Sequence, residues 1–266
     1  MTPASDDRWV SGDAYDAYMG RWSRRVAREF FEWLCPNPAG AWLDVGCGTG
    51  ALTSTICELC EPASVVACDP SEPFIEHARE KLADPRVTFV VAGADELPRR
   101  EGGFDHVVSG LVLNLLPDPE RAAAAIRERL RSGGTAAAYV WDYADGMRPL
   151  RLFWDEAVAA DPQVTALDEG RRFPLCVRPA LASLFRSTGL TQVETHALEI
   201  STEFANFDDY WAPFLRGTGP APSYVGTLDP PAREALEARL KRRLQPEEDG
   251  QIHLTARAWA VRGVLG

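Results

Sequence analysis

The stretch Trp42 to Thr53, WLDVGCGTGALT, constrains this chain more than any other. Its apolar run Trp42-Leu43-Asp44-Val45 stops at Gly46-Cys47-Gly48-Thr49-Gly50 and passes into helix-compatible residues, which reads as a strand, a glycine turn and a helix start. Glycines at every second position free the backbone for unusual φ/ψ values and let a ligand lie against its amides, at the positive end of the following helix dipole. The pattern is GxGxG preceded by an acidic residue, and it differs from the GxGxxG fingerprint of dinucleotide sites. A diphosphate cradle has no use for Asp44 two residues before the turn. A ligand with a cationic amino-acid end does.

The chain has 266 residues, enough for one large α/β domain or a core with a smaller lid. Its 45% hydrophobic and 25% charged residues are those of an ordinary globule. A formal charge of −11, with no long Lys/Arg block, argues against a face that neutralises phosphates, so no nucleic-acid partner is expected. No apolar run approaches the ~20 residues that span a bilayer. Met1 to Val10 is polar and acidic rather than signal-like, so the expectation is a cytoplasmic protein without membrane insertion. Six cysteines, Cys35, Cys47, Cys57, Cys60, Cys68 and Cys176, are scattered as reduced thiols would be. Cys57 and Cys60 form a CxxC, but no second pair lies at metal-ligand spacing, so both are read as helix residues and no metal is expected.

Upstream of the glycine turn, Tyr15 to Leu34 carries Tyr15, Tyr18, Met19, Trp22, Val26, Phe30, Trp33 and Leu34 at spacings of three and four, with arginines between them. That predicts an amphipathic helix ending near Pro36. Downstream, strand and helix signals alternate: strands at Trp42–Val45, Ser64–Cys68, Val87–Val91, from Asp105, and Thr135–Trp141, with a helix through Ala123, Ile126 and Leu130 ending at Ser132-Gly133-Gly134. Apolar runs separated by helices imply a parallel sheet covered on both faces, with ligands at the carboxyl ends of its strands. After Asp142 the alternation fails. A helix over Pro179–Thr188, a strand over Thr191–Ile200, a helix begun at Asp229-Pro230-Pro231 and a last strand over Gln251–Arg262 remain clear. Phe204 to Leu228 is rich in aromatics without a sustained period.

The element order, LDVGCGTG, the acidic residue Asp69 ending the second strand, FDHVVSGLVLNLLPDP and the LRSGG turn together resemble class I S-adenosylmethionine-dependent methyltransferases of the ubiquinone/menaquinone C-methyltransferase-like (type 11) group. The likeness is concentrated in Ala41 to Trp141. It implies an α/β, Rossmann-like doubly wound, mostly parallel seven-stranded sheet with a helical lid. The expected division is a helical cap over residues 1–40, a cofactor-binding core over 41–145, lid insertions over 146–178 and 204–228, and further core over 179–203 and 229–266.

The cofactor implied is S-adenosyl-L-methionine, which carries the cationic amino-acid end that Asp44 calls for. By the same resemblance Gly46, Gly48 and Gly50 lie against its methionine end, Asp44 faces the ammonium directly or through water, and Asp69 accepts the ribose hydroxyls, with Pro70 beside the adenosine. On the third strand Gly93 stands where the family often has an aspartate, so Ala94 is assigned to adenine through its amide and Asp95 as a substitute carboxylate. Ser109 and Leu111 resemble the stretch passing beside the sulfur. Tyr18 and Trp22 resemble aromatics that cover the cofactor, and Arg21 is placed near its carboxylate.

Methyl transfer from a sulfonium is an in-line displacement that asks for alignment and exclusion of water, with a base only where the nucleophile needs one. The polar residues singled out as catalytic are Asp142, just past the fifth strand, and Asn114, at the exit of the fourth. His77, His106, His196 and His253 are read as structural. Aromatics of the lid segments point to a small, mostly apolar or aromatic methyl acceptor, although Tyr210, Trp211 and Phe214 could equally pack the lid onto the core or onto a second subunit, which leaves a homodimer open. The expected function is S-adenosylmethionine-dependent methylation of a small molecule at C, O or N. The alternative is a scaffold that binds the cofactor without turnover; a nicotinamide oxidoreductase fails on glycine spacing.

Overall fold

The computed structural model describes residues 20–216 and 219–266. Tyr15, Tyr18 and Met19 lie outside the described residues. The described residues open on α1 (Arg21–Leu34), followed by β1 (Ala41–Val45), α2 (Ala51–Leu59), β2 (Ser64–Asp69), α3 (Glu72–Lys81), β3 (Val87–Val91) and β4 (Phe104–Gly110). Then come α4 (Pro119–Arg129), β5 (Leu130–Trp141), α5 (Arg148–Ala160), α6 (Glu169–Arg172), α7 (Arg178–Ser187) and β6 (Thr191–Phe204). The order finishes with α8 (Phe207–Trp211), α9 (Pro220–Thr227), α10 (Pro230–Arg243) and β7 (Ile252–Val264). No helix is long and apolar enough to cross a membrane among the described residues.

The seven strands form one sheet in the order β3-β2-β1-β4-β5-β7-β6. Pairings from β3 through β5 are parallel, and β7 runs antiparallel between β5 and β6. This is the expected mostly parallel sheet. The reversal between β1 and β4 opens a crevice at the carboxyl ends of those strands, where ligands bind in open α/β sheets. All five β1 residues are buried, as a central strand covered by helices on both faces requires. One face carries Val26, Phe30, Leu52 and Ile56 of α1 and α2, and the other carries Ala123, Ile126, Leu181 and Phe185 of α4 and α7.

One expectation about the elements is corrected. The helix expected to end at Ser132-Gly133-Gly134 stops at Arg129, and β5 begins at Leu130. Leu130 pairs with Phe104, and the ladder resumes with Thr135 opposite His106, so residues 131–134 form an irregularity rather than a helix end. The i, i+4 spacing of Ile126 and Leu130 misleads because both sit in the same buried cluster from different elements. In residues 204–228 the absence of a period reflects short pieces: α8, a 3₁₀ turn over Ala212–Arg216, and α9. Their aromatics pack on α5: Phe214 stacks on Phe153 with centroids 4.6 Å apart, and the Tyr210 hydroxyl donates to the Pro149 carbonyl at 2.9 Å. Tyr210, Trp211 and Phe214 are all buried in this cluster.

Just past β5, the buried carboxylate of Asp142 receives two hydrogen bonds on Oδ2 from Arg257 of β7, at 2.8 and 2.6 Å. Arg257 also reaches Asp145 at 2.8 Å and lies over the Trp259 ring. Removing one partner of a buried pair strands the other charge. Arg257→Ala is therefore expected to destabilise the fold by about 3 kcal/mol, at the low end because the guanidinium keeps some contact with water. In a thermal melt this is a fall in Tm on the order of 6 °C.

Candidate active site

The glycine turn is built as the sequence requires. Gly46, Gly48 and Gly50 have φ of +74°, +52° and +85°, values L side chains rarely adopt. The Gly46 and Cys47 amides both donate to the Cys68 carbonyl, at 2.8 and 2.9 Å, which laces the end of β1 to the end of β2. A Cβ on Gly46 would lie 2.6 Å from a Val112 methyl, whereas one on Gly48 would meet nothing within 4 Å. The turn thus packs tightly on one side and faces open space on the other.

That space is a cavity of about 310 Å³ at the carboxyl ends of β1, β2, β4 and β5, at the lower end of the roughly 300–1,000 Å³ typical of small-molecule sites. Asp69 lines it, with the Gly48 amide donating to Oδ2 at 3.0 Å and the Ser71 amide to Oδ1 at 2.9 Å. Burial pushes its pKa up and the two amides pull it back. Each oxygen retains lone-pair capacity for a hydroxyl donor from a ligand. Behind the turn, Asp44 is fully buried; Thr53 Oγ1 donates to its Oδ2 at 2.6 Å and its Oδ1 has no partner. Burial, against the Thr53 hydrogen bond and with the Asp69 charge adding, pushes Asp44 up to about 7. An unsatisfied buried carboxylate oxygen beside a glycine turn is an acceptor awaiting a cationic donor.

Other expected residues are placed differently. Arg21 turns away from the cavity: its guanidinium pairs with Asp209 at 3.2 Å and lies over the Trp22 and Phe204 rings. Trp22 is buried edge-on against Phe204 and lines a small separate void of about 20 Å³ with Arg21. Tyr18 is outside the described residues. Asp95 is exposed and pairs with Arg121 at 3.2 Å, so it does not replace the aspartate missing at Gly93. Neither it nor Ala94 lines the cavity, whereas Pro70 does. Ser109 is buried and donates to the Val45 carbonyl at 2.9 Å, pinning β4 to β1 behind the cavity wall. Asp142 is held by Arg257 and stands outside the lining. Asn114 sits in a single 3₁₀ turn, Leu113–Leu115, with both amide atoms buried and without partners. His106 packs on Trp42 with centroids 4.2 Å apart, and burial lowers its pKa.

Leu111 does line the cavity, together with residues that sequence reasoning passed over: Ser23, Phe74, Val112, Leu115, Tyr139 and Trp141. Tyr139 and Trp141 are two apart on β5 and so share a face. That alternation is visible in the sequence; which face it meets is not. Cys47 also lines the cavity, and burial with the nearby Asp44 and Asp69 charges raises its thiol well above the ordinary value.

Residues 43–138 match the family model described as a methyltransferase domain. Nocamycin O-methyltransferase of Saccharothrix syringae is 30% identical over 260 residues, covering 89% of this chain and 89% of that protein. The chain belongs to the class I S-adenosylmethionine-dependent methyltransferases. The chloroplastic 2-methyl-6-phytyl-1,4-hydroquinone methyltransferase 2 of Oryza sativa is 38% identical over 94 residues, 35% of this chain but only 27% of that enzyme's length. Phosphoethanolamine N-methyltransferase 2 of Haemonchus contortus, solved with S-adenosyl-L-methionine, superposes with a TM-score of 0.60 at 17% identity, covering 97% of this chain and 58% of that one. The cofactor of this methyltransferase is S-adenosyl-L-methionine. Gly48, with open space where a Cβ would stand, and the Asp69 carboxylate line the cavity, while Asp44, its Oδ1 without a partner, lies behind the turn and outside the lining.

The Asp44 proton gives a two-sided prediction. Its folded pKa lies above the ordinary 3.8, so the ligand-free fold holds this proton more tightly than the unfolded chain does, and the contribution is lost as pH rises towards about 7. Asp44→Asn, which cannot ionise, is expected to melt above the wild type at pH 8. A cationic ligand end needs the carboxylate, so calorimetric affinity for S-adenosylhomocysteine should weaken by up to roughly tenfold per pH unit below about 7. In Asp44→Asn that dependence should flatten and affinity should be low throughout.

Proposed function

We propose that this methyltransferase acts on a small, largely apolar acceptor, with an oxygen nucleophile favoured. The observation that carries the reading is the wall of the cavity beyond the glycine turn: Leu111, Val112, Leu115, Leu116, Tyr139 and Trp141, apolar and aromatic with polar tips. Such a surface suits an apolar or aromatic ring rather than a polyanion. The preference for oxygen rests on the relative matched over 89% of both chains, named as an O-methyltransferase; the shorter rice match is named for a hydroquinone, an aromatic acceptor.

Sheet order supports one layout. Asp69, the glycine turn, Leu111 and Tyr139 stand in a row at the ends of β2, β1, β4 and β5. Asp69, Pro70 and Phe74 would hold the adenosine, Gly46–Gly50 with Asp44 the amino-acid end, and the β5 aromatics the acceptor. S-adenosylmethionine supplies an activated methyl group whose bonding electron pair leaves with sulfur. The protein's share is to align the acceptor opposite that bond and to exclude water behind the β4 and β5 side chains. Asn114, whose amide atoms lack partners beside this wall, is the polar group proposed to orient the acceptor. Asp142 remains a secondary candidate, since its hydrogen bonds to Arg257 would have to loosen for it to take part.

Asp69→Ala tests the cofactor half: losing charged hydrogen bonds of about 1.5–3 kcal/mol should weaken S-adenosylhomocysteine binding roughly ten- to hundredfold by calorimetry. An unchanged isotherm would remove Asp69 from the site. For the acceptor half, wild-type protein is incubated with S-adenosylmethionine bearing a deuterated methyl group and pools of phenols, enols, carboxylic acids and amines. Mass spectrometry should find the label on oxygen compounds; label on amines alone would refute the oxygen preference, and binding with no transfer to any pool would favour a scaffold.

A further inference from the structure

We infer that the Trp141 indole N–H is a specificity-determining donor, and that the methyl acceptor it recognises is a neutral molecule carrying a carbonyl oxygen in addition to its nucleophile. The inference rests on the apolar-acceptor reading above and deepens it at the β5 wall of the same cavity.

An indole N–H can only donate, and when buried it usually finds an oxygen. Trp154 does so, donating to the buried Glu169. Trp141 is 1% exposed, and its Nε1 is buried without a hydrogen-bond partner in the protein. Trp42 shares that condition, but it is packed against Phe31 and His106 and does not line the cavity. Trp141 does, and among the described lining residues it is the one with such an orphaned side-chain atom. An unsatisfied buried donor is costly to a fold, and a ligand that supplies the missing oxygen removes the cost.

Position assigns that oxygen to the acceptor rather than to the cofactor. Asp69 and the glycine turn stand at the ends of β2 and β1, whereas Trp141 ends β5, with β4 between. Neighbouring strands lie about 4.8 Å apart, so β5 is roughly 10 Å from the turn and farther from Asp69. Tyr139, two residues earlier, shares a face and a buried cluster with Trp141. Its ring is held by Phe30 with centroids 4.8 Å apart, and Gly110 lies so close that a Cβ there would sit 2.6 Å from the phenol oxygen. Gly110 has no positive φ. Its missing side chain makes room for the phenol, which thereby reaches over the end of β4, and Trp141 stands beyond it, farther along β5.

The lining also says which kind of oxygen suits the indole. Among the described residues around the cavity there is no Lys, Arg or His, and the one carboxylate, Asp69, repels an anion. A carboxylate on the acceptor would meet no counter-charge from the protein. A hydroxyl would bring a proton that needs a further partner. A carbonyl oxygen offers lone pairs alone and satisfies the indole without adding charge to an apolar wall.

The test uses full-length protein saturated with S-adenosylhomocysteine and two phenols of the same outline, 4-hydroxyacetophenone and 4-ethylphenol, which differ by a carbonyl oxygen. A purely apolar wall favours 4-ethylphenol. The expected calorimetric result is the reverse, with the ketone bound about fivefold tighter, the worth of one ordinary net hydrogen bond. In Trp141→Phe that preference should vanish while affinity for S-adenosylhomocysteine stays within about threefold. With ¹⁵N-labelled tryptophan, the Trp141 indole signal should shift downfield with the ketone and not with 4-ethylphenol; it is identified by its loss in Trp141→Phe or, where that variant does not fold, in Trp141→Tyr. A wild type that prefers 4-ethylphenol, a ketone preference that survives Trp141→Phe, or an indole signal indifferent to the ketone overturns the inference and leaves the apolar-acceptor reading standing. A larger fall in S-adenosylhomocysteine affinity in a folded variant gives the donor to the cofactor and overturns it equally. A wild-type complex that binds neither phenol overturns the acceptor reading together with the inference.

Discussion

One carboxylate holds the ligand-binding end of this sheet in shape. Asp69 accepts from the amide of Gly48 on one oxygen and from that of Ser71 on the other, so the β1 turn and the start of α3 are fixed to the same side chain. Without those amides a carboxylate at that depth would be costly to keep ionised; with them it is satisfied and still has lone pairs facing the cavity. The bridge holds the turn and the start of α3 at the edge of the cavity that Asp69 lines.

Packing above the sheet protects the same geometry. The aromatic cluster of α5, α8 and the following 3₁₀ turn is buried, with Phe153, Phe214 and Tyr210 at its centre. Its polar members are paired: Arg151 is held by Asp168 at 2.9 and 2.7 Å, and the Trp154 indole donates to the buried Glu169. Arg257 ties β7 to the exit of β5 through Asp142. β7 is thus held to the exit of β5, next to Trp141, by a charge pair, and the segment after it is held together by its own.

Much of the core was legible in the sequence because its signals are local. An apolar run broken by alternate glycines, an acid ending the next strand, and helices of matching length between them specify strand, turn and sheet without distant information. The glycine turn follows from that logic, whereas Asp69 and Leu111 were singled out by the family resemblance. The misses are non-local. Arg21 was placed by nearness to the turn, but its charge is met by Asp209, 188 positions away. Asp142 looked available at a strand exit until Arg257, 115 positions on, was seen to occupy it. Asp95 was expected to stand in for an absent carboxylate, yet two residues along an exposed turn send it to Arg121. The aromatics of residues 204–228 carried no period because three short elements share them. In each case the partner that decides the side chain's place is set by the fold and not by the neighbouring sequence.

The placement of Cys47 has a consequence for the chain itself. It is the second residue of the glycine turn and lines the cavity, where a thiolate would be a competing nucleophile. Burial and two neighbouring carboxylates keep the sulfur protonated, as burial does for Cys68 on the adjacent strand, pushed up to about 12. A neutral thiol is a far weaker nucleophile than its anion. Burial first, and the neighbouring carboxylates with it, thus keep the Cys47 thiol beside the cavity in its less nucleophilic form.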